Sequence, residues 1–430
     1  MNDLLRQIKS SRFIRDVAIV ATGTAGAQVI NLAFFPVITR LYGPEAFGAL
    51  GVFMSVAEIL IPIAALTYPM AIVLPEEDSD AKNLILLSFL ISLCTAVIVG
   101  ASLLQFKDWI IPRFSLQSIG DLLLLLPLAM LFSVCLNVAQ FWLIRKKKFK
   151  LIAKAAIAQA ALINGAKVGL GWFNPYALVL IVVTVFGYAV HALQLAFGIK
   201  SNSSAASAHQ TFSARKLKHV AYRYRGFPFF RASQTFLSRV SHSLPVLLLA
   251  MFFDPAAAGF YTIARTSLSL PAILIGKSIS DVFYPKFTEA ARAGQNTRSL
   301  LAKTNLTLAV VGLLPFSTII IFGPWLFAFV FGPDWEYAGE YARWMALWMY
   351  FTFIIPPSVS ATAVLGLQHY ILINEVLGIV LRLAALSIGF YLFESDLFAV
   401  AGFSLAGVVL NITLILFVIF NSAHTNIIRK

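Results

Sequence analysis

Charge is scarce in this chain. Of its 430 residues, 12% are Asp, Glu, Lys or Arg, about half the share in a soluble domain. A surface so poor in charge does not cover a chain of this size in water. An ordinary cytosolic enzyme and an intrinsically disordered chain are therefore both excluded. Cysteine is scarcer still: Cys94 and Cys135 both lie inside apolar runs and offer no disulfide framework and no thiolate metal site. There is no GxxxxGKS/T loop, no HExxH helix and no Cys/His cluster, so neither a nucleotide cradle nor a metal is expected, and no cofactor. No polar segment is long enough to fold into a catalytic domain of its own. The short apolar region and small-residue cleavage site of a removed signal peptide are also missing.

What the sequence has in abundance is apolar length. Hydrophobic residues make up 59% of the chain and the mean hydropathy is +0.84. The apolar runs fall near 13–36, 48–73, 84–106, 121–144, 151–171, 176–199, 227–253, 257–281, 303–330, 341–365, 371–393 and 397–420. Each is close to the roughly 20 residues a helix needs to cross a bilayer, and none alternates as an outer-membrane strand does. The expected fold class is all-α, a polytopic membrane protein of about 12 transmembrane helices. Prolines at 36, 62, 69, 245, 271, 315, 356 and 357 interrupt several runs and predict bends. The longest polar stretch, KSNSSAASAHQTFSARKLKHVAYRYR at 200–225, divides the runs into two sets of six. The expected organisation is an interfacial amphipathic segment at 1–12, a six-helix bundle at 13–199, a cytoplasmic linker at 200–226, a second six-helix bundle at 227–420 and a cytoplasmic tail at 421–430.

The net charge of +14 could suggest nucleic acid, but in a membrane protein its first use is topological. With the N-terminus inside, the inner segments collect Arg6 to Arg15, the RKKKFK run at 145–150, Lys200 to Arg231, Lys286 to Lys303 and the terminal Arg429 and Lys430. The outer segments hold only Arg40, Lys107, Arg113 and Arg343. Both termini are expected in the cytoplasm. The acidic loop PEEDSDAK at 75–82 dissents but counts little in the rule, and RKKKFK reads as an anchor to anionic lipid, with no nucleic-acid partner.

The halves show a weak internal match. LYGPEAFGALGVF (41–53) and FFDPAAAGFYTIA (252–264) share a proline and a glycine at one spacing, Pro44 with Gly48 and Pro255 with Gly259. Both pairs open an even-numbered span, so the repeat is parallel about an axis along the membrane normal.

At these residues the sequence resembles the polysaccharide-exporter (Wzx-type) family of oligosaccharide flippases, in the superfamily that includes the MATE exporters and the lipid II flippase. The resemblance is carried by GTAGAQVINLAFFPVITRLYGPEAFGALGVF (23–53), by LLPLAMLFSVCLNVAQFWLIRKKKFKLIAKAAIAQA (125–160), by LPVLLLAMFFDPAAAGFYTIARTSLSLPAILIGKSISDVFYPKFTEA (244–290) and by FGPDWEYAGEYARWMAL (331–347). It implies a MATE-like fold of two six-helix bundles around a central cavity, in a bacterial inner membrane. It implies a non-enzymatic transporter that moves an undecaprenyl-diphosphate-linked oligosaccharide to the outer leaflet for surface polysaccharide such as the O-antigen of lipopolysaccharide. Membrane lipid and the glycan polymerase machinery would be its partners.

The ionisable residues inside the runs carry the chemistry, since a charge at the bilayer centre costs about 2.5–3.5 kcal/mol and must face a cavity or a partner. They are Glu58, Lys167, Arg239, His242, Arg265, Lys277, Asp281, Glu375 and Arg382. If spans seven and eight adjoin, Arg231, Lys277, Arg239 and Arg265 form a rough ladder of positive charge, the candidate binding residues for a diphosphate, which guanidinium groups hold bidentately. Lys277 with Asp281 reads equally as an i, i+4 pair, and Arg382 with Glu375 as a local polar network. Glu58 reads either as an ion-coupling site or as the partner of a cavity arginine. Span one has no arginine in its core, which departs from the lipid II flippase. The rival readings are a MATE-like drug/ion antiporter, which would favour acids in the cavity, and a membrane glycan polymerase or ligase, which would need a large outer loop.

Overall fold

The computed structural model describes the backbone over 12–113, 117, 119–200 and 214–422. It describes the side chains there except at 12–18, 113, 199, 200, 214, 270–282, 368 and 372. Residues 1–11 of the expected interfacial segment at 1–12, 201–213 of the expected linker at 200–226 and 423–430 of the expected tail at 421–430 lie outside the described residues. Among the described residues every regular element is helical. Ten helices are long and apolar enough to cross a membrane, and a pair bent by 41°, Pro333–Ile354 with Pro356–Leu365, adds an eleventh. A helix of 38 residues, Pro255–Arg292, occupies the place of the eighth expected span. The chain is thus an all-α multi-pass membrane protein of about twelve spans. Its contacts fall into two compact units, Met1–Leu247 and Leu248–Lys430.

The first unit contains α1 (Arg12–Leu41), α2 (Pro44–Ala64), α3 (Asp78–Arg113), α4 (Leu126–Arg145), α5 (Phe149–Gly171), α6 (Ala177–Lys200) and a short amphipathic α7 (Ala214–Arg223). It also holds most of α8 (Ser233–Phe252), whose last residues fall past the boundary. Proline at the first position opens α2, where its missing N–H costs nothing. Helix α1 packs along α5, and α4 packs against α3, α2 and α6. Small residues make the close approaches: a Cβ on Gly23 would collide with Ala153, and one on Gly171 with the Tyr42 ring, whose hydroxyl donates to the Lys167 carbonyl at 2.8 Å. In lipid, where apolar burial drives little, such van der Waals fit and interhelical hydrogen bonds hold helices together. The outward faces are correspondingly greasy, with Leu93, Val97 and Leu104 exposed along α3.

The second span is shorter than the run 48–73 predicts. Helix α2 stops at Ala64, and Leu66 and Thr67 take left-handed φ of 48° and 57° before a single turn at Tyr68–Ala71. Pro62 and Pro69 remove two helical donors here, and non-glycine residues with positive φ cost on the order of 1 kcal/mol or more each. The turn is fixed from outside: Thr67 Oγ1 donates to the Phe227 carbonyl at 3.2 Å and Tyr68 Oη to the Ala221 carbonyl at 3.0 Å. Val220 of α7 is fully buried in the same apolar cluster as Tyr68, Ile72, Leu84 and Val134.

The second unit contains α9 (Pro255–Arg292), α10 (Thr297–Phe331), α11 (Glu336–Ile354), α12 (Pro356–Leu365), α13 (Gln368–Phe393) and α14 (Asp396–Asn421). Helix α9 also begins with proline, behind an Asp254 cap that accepts from the Ala257 amide at 2.7 Å. Gly48 in α2 and Gly259 in α9 are both buried, as the internal match expects of residues that let neighbours close in. Backbone meets backbone where α10 and α11 cross at Gly323 and Gly339, and where α13 and α14 cross at Gly389 and Ala399. Buried amides add polar ties, Asn305 to Ser358 at 2.8 Å and Asn411 to Thr352 at 3.0 Å, each worth about 0.6–2 kcal/mol in a membrane.

Candidate functional site

The first unit encloses a polar cavity of about 430 Å³. Helix α2 supplies Glu58, α4 supplies Ser133 and Asn137, α6 supplies Tyr188, and the strained turn supplies Thr67. Arg239 and Thr235 enter from α8, with Arg231 just before it. Arg239 Nη1 donates to Glu58 Oε2 at 2.9 Å, and both side chains keep close to half their exposure, at 48% and 40%. Tyr188 lies within electrostatic reach of both. Two guanidinium groups against one carboxylate leave the described lining with an excess of positive charge. Glu58 thus pairs with a cavity arginine in this structure.

Arg231 and Arg239 are therefore brought to one cavity, as the ladder requires. Arg265 lies in the second unit, within electrostatic reach of Tyr261 and Arg382. The Lys277 side chain, with that of Asp281, lies outside the described residues. Arg382 is the residue that sequence reasoning undervalued. Its guanidinium stands 5.1 Å from the Trp348 ring centre and 5.6 Å from that of Phe403, two rings that meet edge to face. An aromatic cradle of this kind holds a cation in a poorly hydrated place at about 0.5–2 kcal/mol. The sequence paired it with Glu375, which lies within its electrostatic reach, but did not show the rings, because Trp348 and Phe403 come from α11 and α14.

At one end of the first unit the acidic loop finds its reason. Arg145, at the end of α4, donates to the carbonyls of Ile72, Pro75 and Glu76 and, at 3.0 Å, to Asp78 Oδ1. Lys146 pairs with the other Asp78 oxygen and stands over the Trp142 ring, and Arg223 lies 3.8 Å from Asp80. Arg145 and Lys146 thus clamp the acidic loop from within the unit, a contact that spacing in the sequence did not show. Lys147 turns the chain with φ of 55°. Asp78 and Asp80 of PEEDSDAK face these cations.

The comparisons with known proteins agree with this architecture. The family described as "Polysaccharide biosynthesis protein" matches over residues 37–340, most of the chain. The chain belongs to that family. Among curated proteins, this family member is 21% identical over 334 residues to the succinoglycan biosynthesis transport protein ExoT of Rhizobium meliloti (strain 1021). That match covers 76% of this chain but only 63% of the relative's length. In fold it is similar to the lipid II flippase MurJ in an inward closed conformation, with a TM-score of 0.70 at 14% identity, covering 93% of this chain and 87% of that one. It is also similar to an inward-facing multidrug resistance MATE family transporter of the MOP superfamily, with a TM-score of 0.68 at 16% identity, covering 94% and 96%. The family member therefore has the MATE-like fold that the resemblance implied.

Proposed function

We propose that this protein is a flippase that carries a lipid-linked oligosaccharide, attached through a diphosphate, across the bacterial inner membrane for polysaccharide biosynthesis. The observation that carries the reading is the polar cavity inside a membrane-spanning unit, with Arg231 and Arg239 facing one acid, Glu58. A compact anion cannot cross hydrocarbon unaided, whereas guanidinium groups in a partly dry cavity bind phosphate oxygens bidentately. The lipid chain can stay in the bilayer while the head moves. An exporter of organic cations would call for the opposite charge balance. Undecaprenyl diphosphate is the carrier this chemistry suits. The glycan polymerase machinery would receive the product.

In this reading the N- and C-termini are cytoplasmic, as the lysine and arginine asymmetry supports. The bundles at 13–199 and 227–420 rock about the linker by alternating access. Arg265 and Lys277 are the further cations this reading assigns to the head group. Reconstitution in proteoliposomes with labelled lipid-diphosphate sugar tests the proposal. The wild type should deliver sugar to the opposite leaflet, while Arg239→Ala and Arg265→Ala should abolish delivery and lysine at either position should restore part of it. Normal delivery by both alanine variants would remove these residues from the path, and no delivery by the wild type would refute the function.

A further inference from the structure

A second hollow, of about 380 Å³, lies where α7 gives way to α8. We propose that it is a docking site for a diphosphate carried on a lipid at the membrane surface, the station from which the head group passes to the Glu58–Arg239 cavity. The proposal rests on the flippase reading above and adds to it a site outside the central path.

The hollow is lined by Arg223, Tyr224, Phe227, Phe230, Arg231 and Gln234. Arg231 also lines the polar cavity, so one side chain borders both spaces. Gln234 Oε1 accepts from Arg231 Nη1 at 3.1 Å, which orients the guanidinium and uses one of its five N–H donors. Arg223 is 58% exposed and reaches Asp80 only at 3.8 Å. A long, wet ion pair of this kind is worth little and exchanges readily for a phosphate that can be held bidentately. Arg225 adds a third positive charge nearby, its guanidinium 4.3 Å from the Tyr222 ring centre.

The apolar part of the ligand is also provided for. Phe230 is 79% exposed and the neighbouring Phe229 70%, apolar rings beside cations as on a helix that lies in a membrane interface. A soluble anion has no use for them, but a lipid chain beside its phosphate does. The winding matters as well. Phe227–Ala232 is a π-helical turn, a feature concentrated at functional sites, and its first carbonyl accepts from Thr67 in the strained turn that borders the polar cavity. Occupation of the hollow therefore bears on the same turn that shapes the cavity.

The test uses the full chain in nanodiscs of zwitterionic lipid, with radiolabelled polyprenyl diphosphate as the probe. Arg223→Gln and Arg231→Gln should each weaken binding by about tenfold, and the lysine variants by no more than about threefold. Asp80→Asn, which frees Arg223 from its competitor, should tighten binding severalfold, a gain that mere structural damage would not give. Unchanged affinity in the double Arg→Gln variant, or weaker binding by Asp80→Asn, would overturn the proposal. Equal displacement of the probe by inorganic pyrophosphate would mean a soluble-anion site, and equal displacement by phosphatidylglycerol a general anionic-lipid surface; either result overturns it. Transport is measured separately in proteoliposomes. A wild type that binds the probe through these residues yet moves no lipid would refute the flippase reading and leave the docking site standing.

Discussion

Replacing Glu58 by glutamine should make the protein hold an anionic head group more tightly and release it more slowly. The carboxylate and the Arg239 guanidinium meet at 2.9 Å, with charge centres about 4 Å apart. At an effective dielectric of about 20 that separation gives about 4 kcal/mol of attraction. The pair is far from dry, at 48% and 40% exposure, and fully exposed pairs yield only about 0.2–1 kcal/mol. A net coupling of about 1–2 kcal/mol lies between these limits. A bound diphosphate must compete with Glu58 for Arg239, so removing the carboxylate returns that free energy to the ligand. The expected gain is about 5- to 30-fold in affinity. Slower release should lower turnover at saturating lipid, because tighter ground-state binding raises the barrier to departure. Nanodisc titrations with polyprenyl diphosphate read the first quantity and proteoliposome turnover the second. Arg239→Gln should lose affinity whether or not Glu58 is present, and the double-mutant cycle isolates the coupling. Affinity that is unchanged or lower in Glu58→Gln would refute the competition argument.

Other variants probe the frame. Arg145→Ala should cost about 2–4 kcal/mol in detergent unfolding, because its side chain is 10% exposed and three carbonyls lose their donor. Lys146→Ala, at 39% exposure beside the same Asp78, should cost less than about 1 kcal/mol. Gly339→Ala should lower stability and folded yield, since its Cβ falls on the backbone of Gly323 and Pro324 and overpacking of this kind costs about 1–3 kcal/mol. Gly165→Ala in α5 meets nothing within 4 Å and should be neutral or stabilising by up to about 1 kcal/mol, so equal thermal shifts in the two variants would contradict the packing account. Arg382→Lys keeps the charge but loses the planar stack on Trp348 and Phe403, and should lower the unfolding free energy by about 1 kcal/mol.

The sequence alone determined the membrane class, because hydropathy acts along the chain: about 20 apolar residues span a bilayer whatever their neighbours do. It also determined which residues need explaining. Arg239, Arg265 and Glu58 stand out as charges in apolar runs before any contact is known. Proline at Pro44 and Pro255 marked two helix starts correctly, since the missing donor is a local property.

Partnership was decided only in three dimensions. Glu58 and Arg239 are 181 residues apart, so their pairing could not be read from spacing. Arg382 finds its cradle on two other helices, and Asp78 meets Arg145 across 67 residues. The end of α2 at Ala64 depended on a turn tied to Phe227 and Ala221, contacts that override the apolar pattern of 48–73. The physical division is between solvation and pairing. Partition into lipid sums over neighbours in sequence, whereas a charge inside lipid is settled by whichever group the fold brings within about 4 Å.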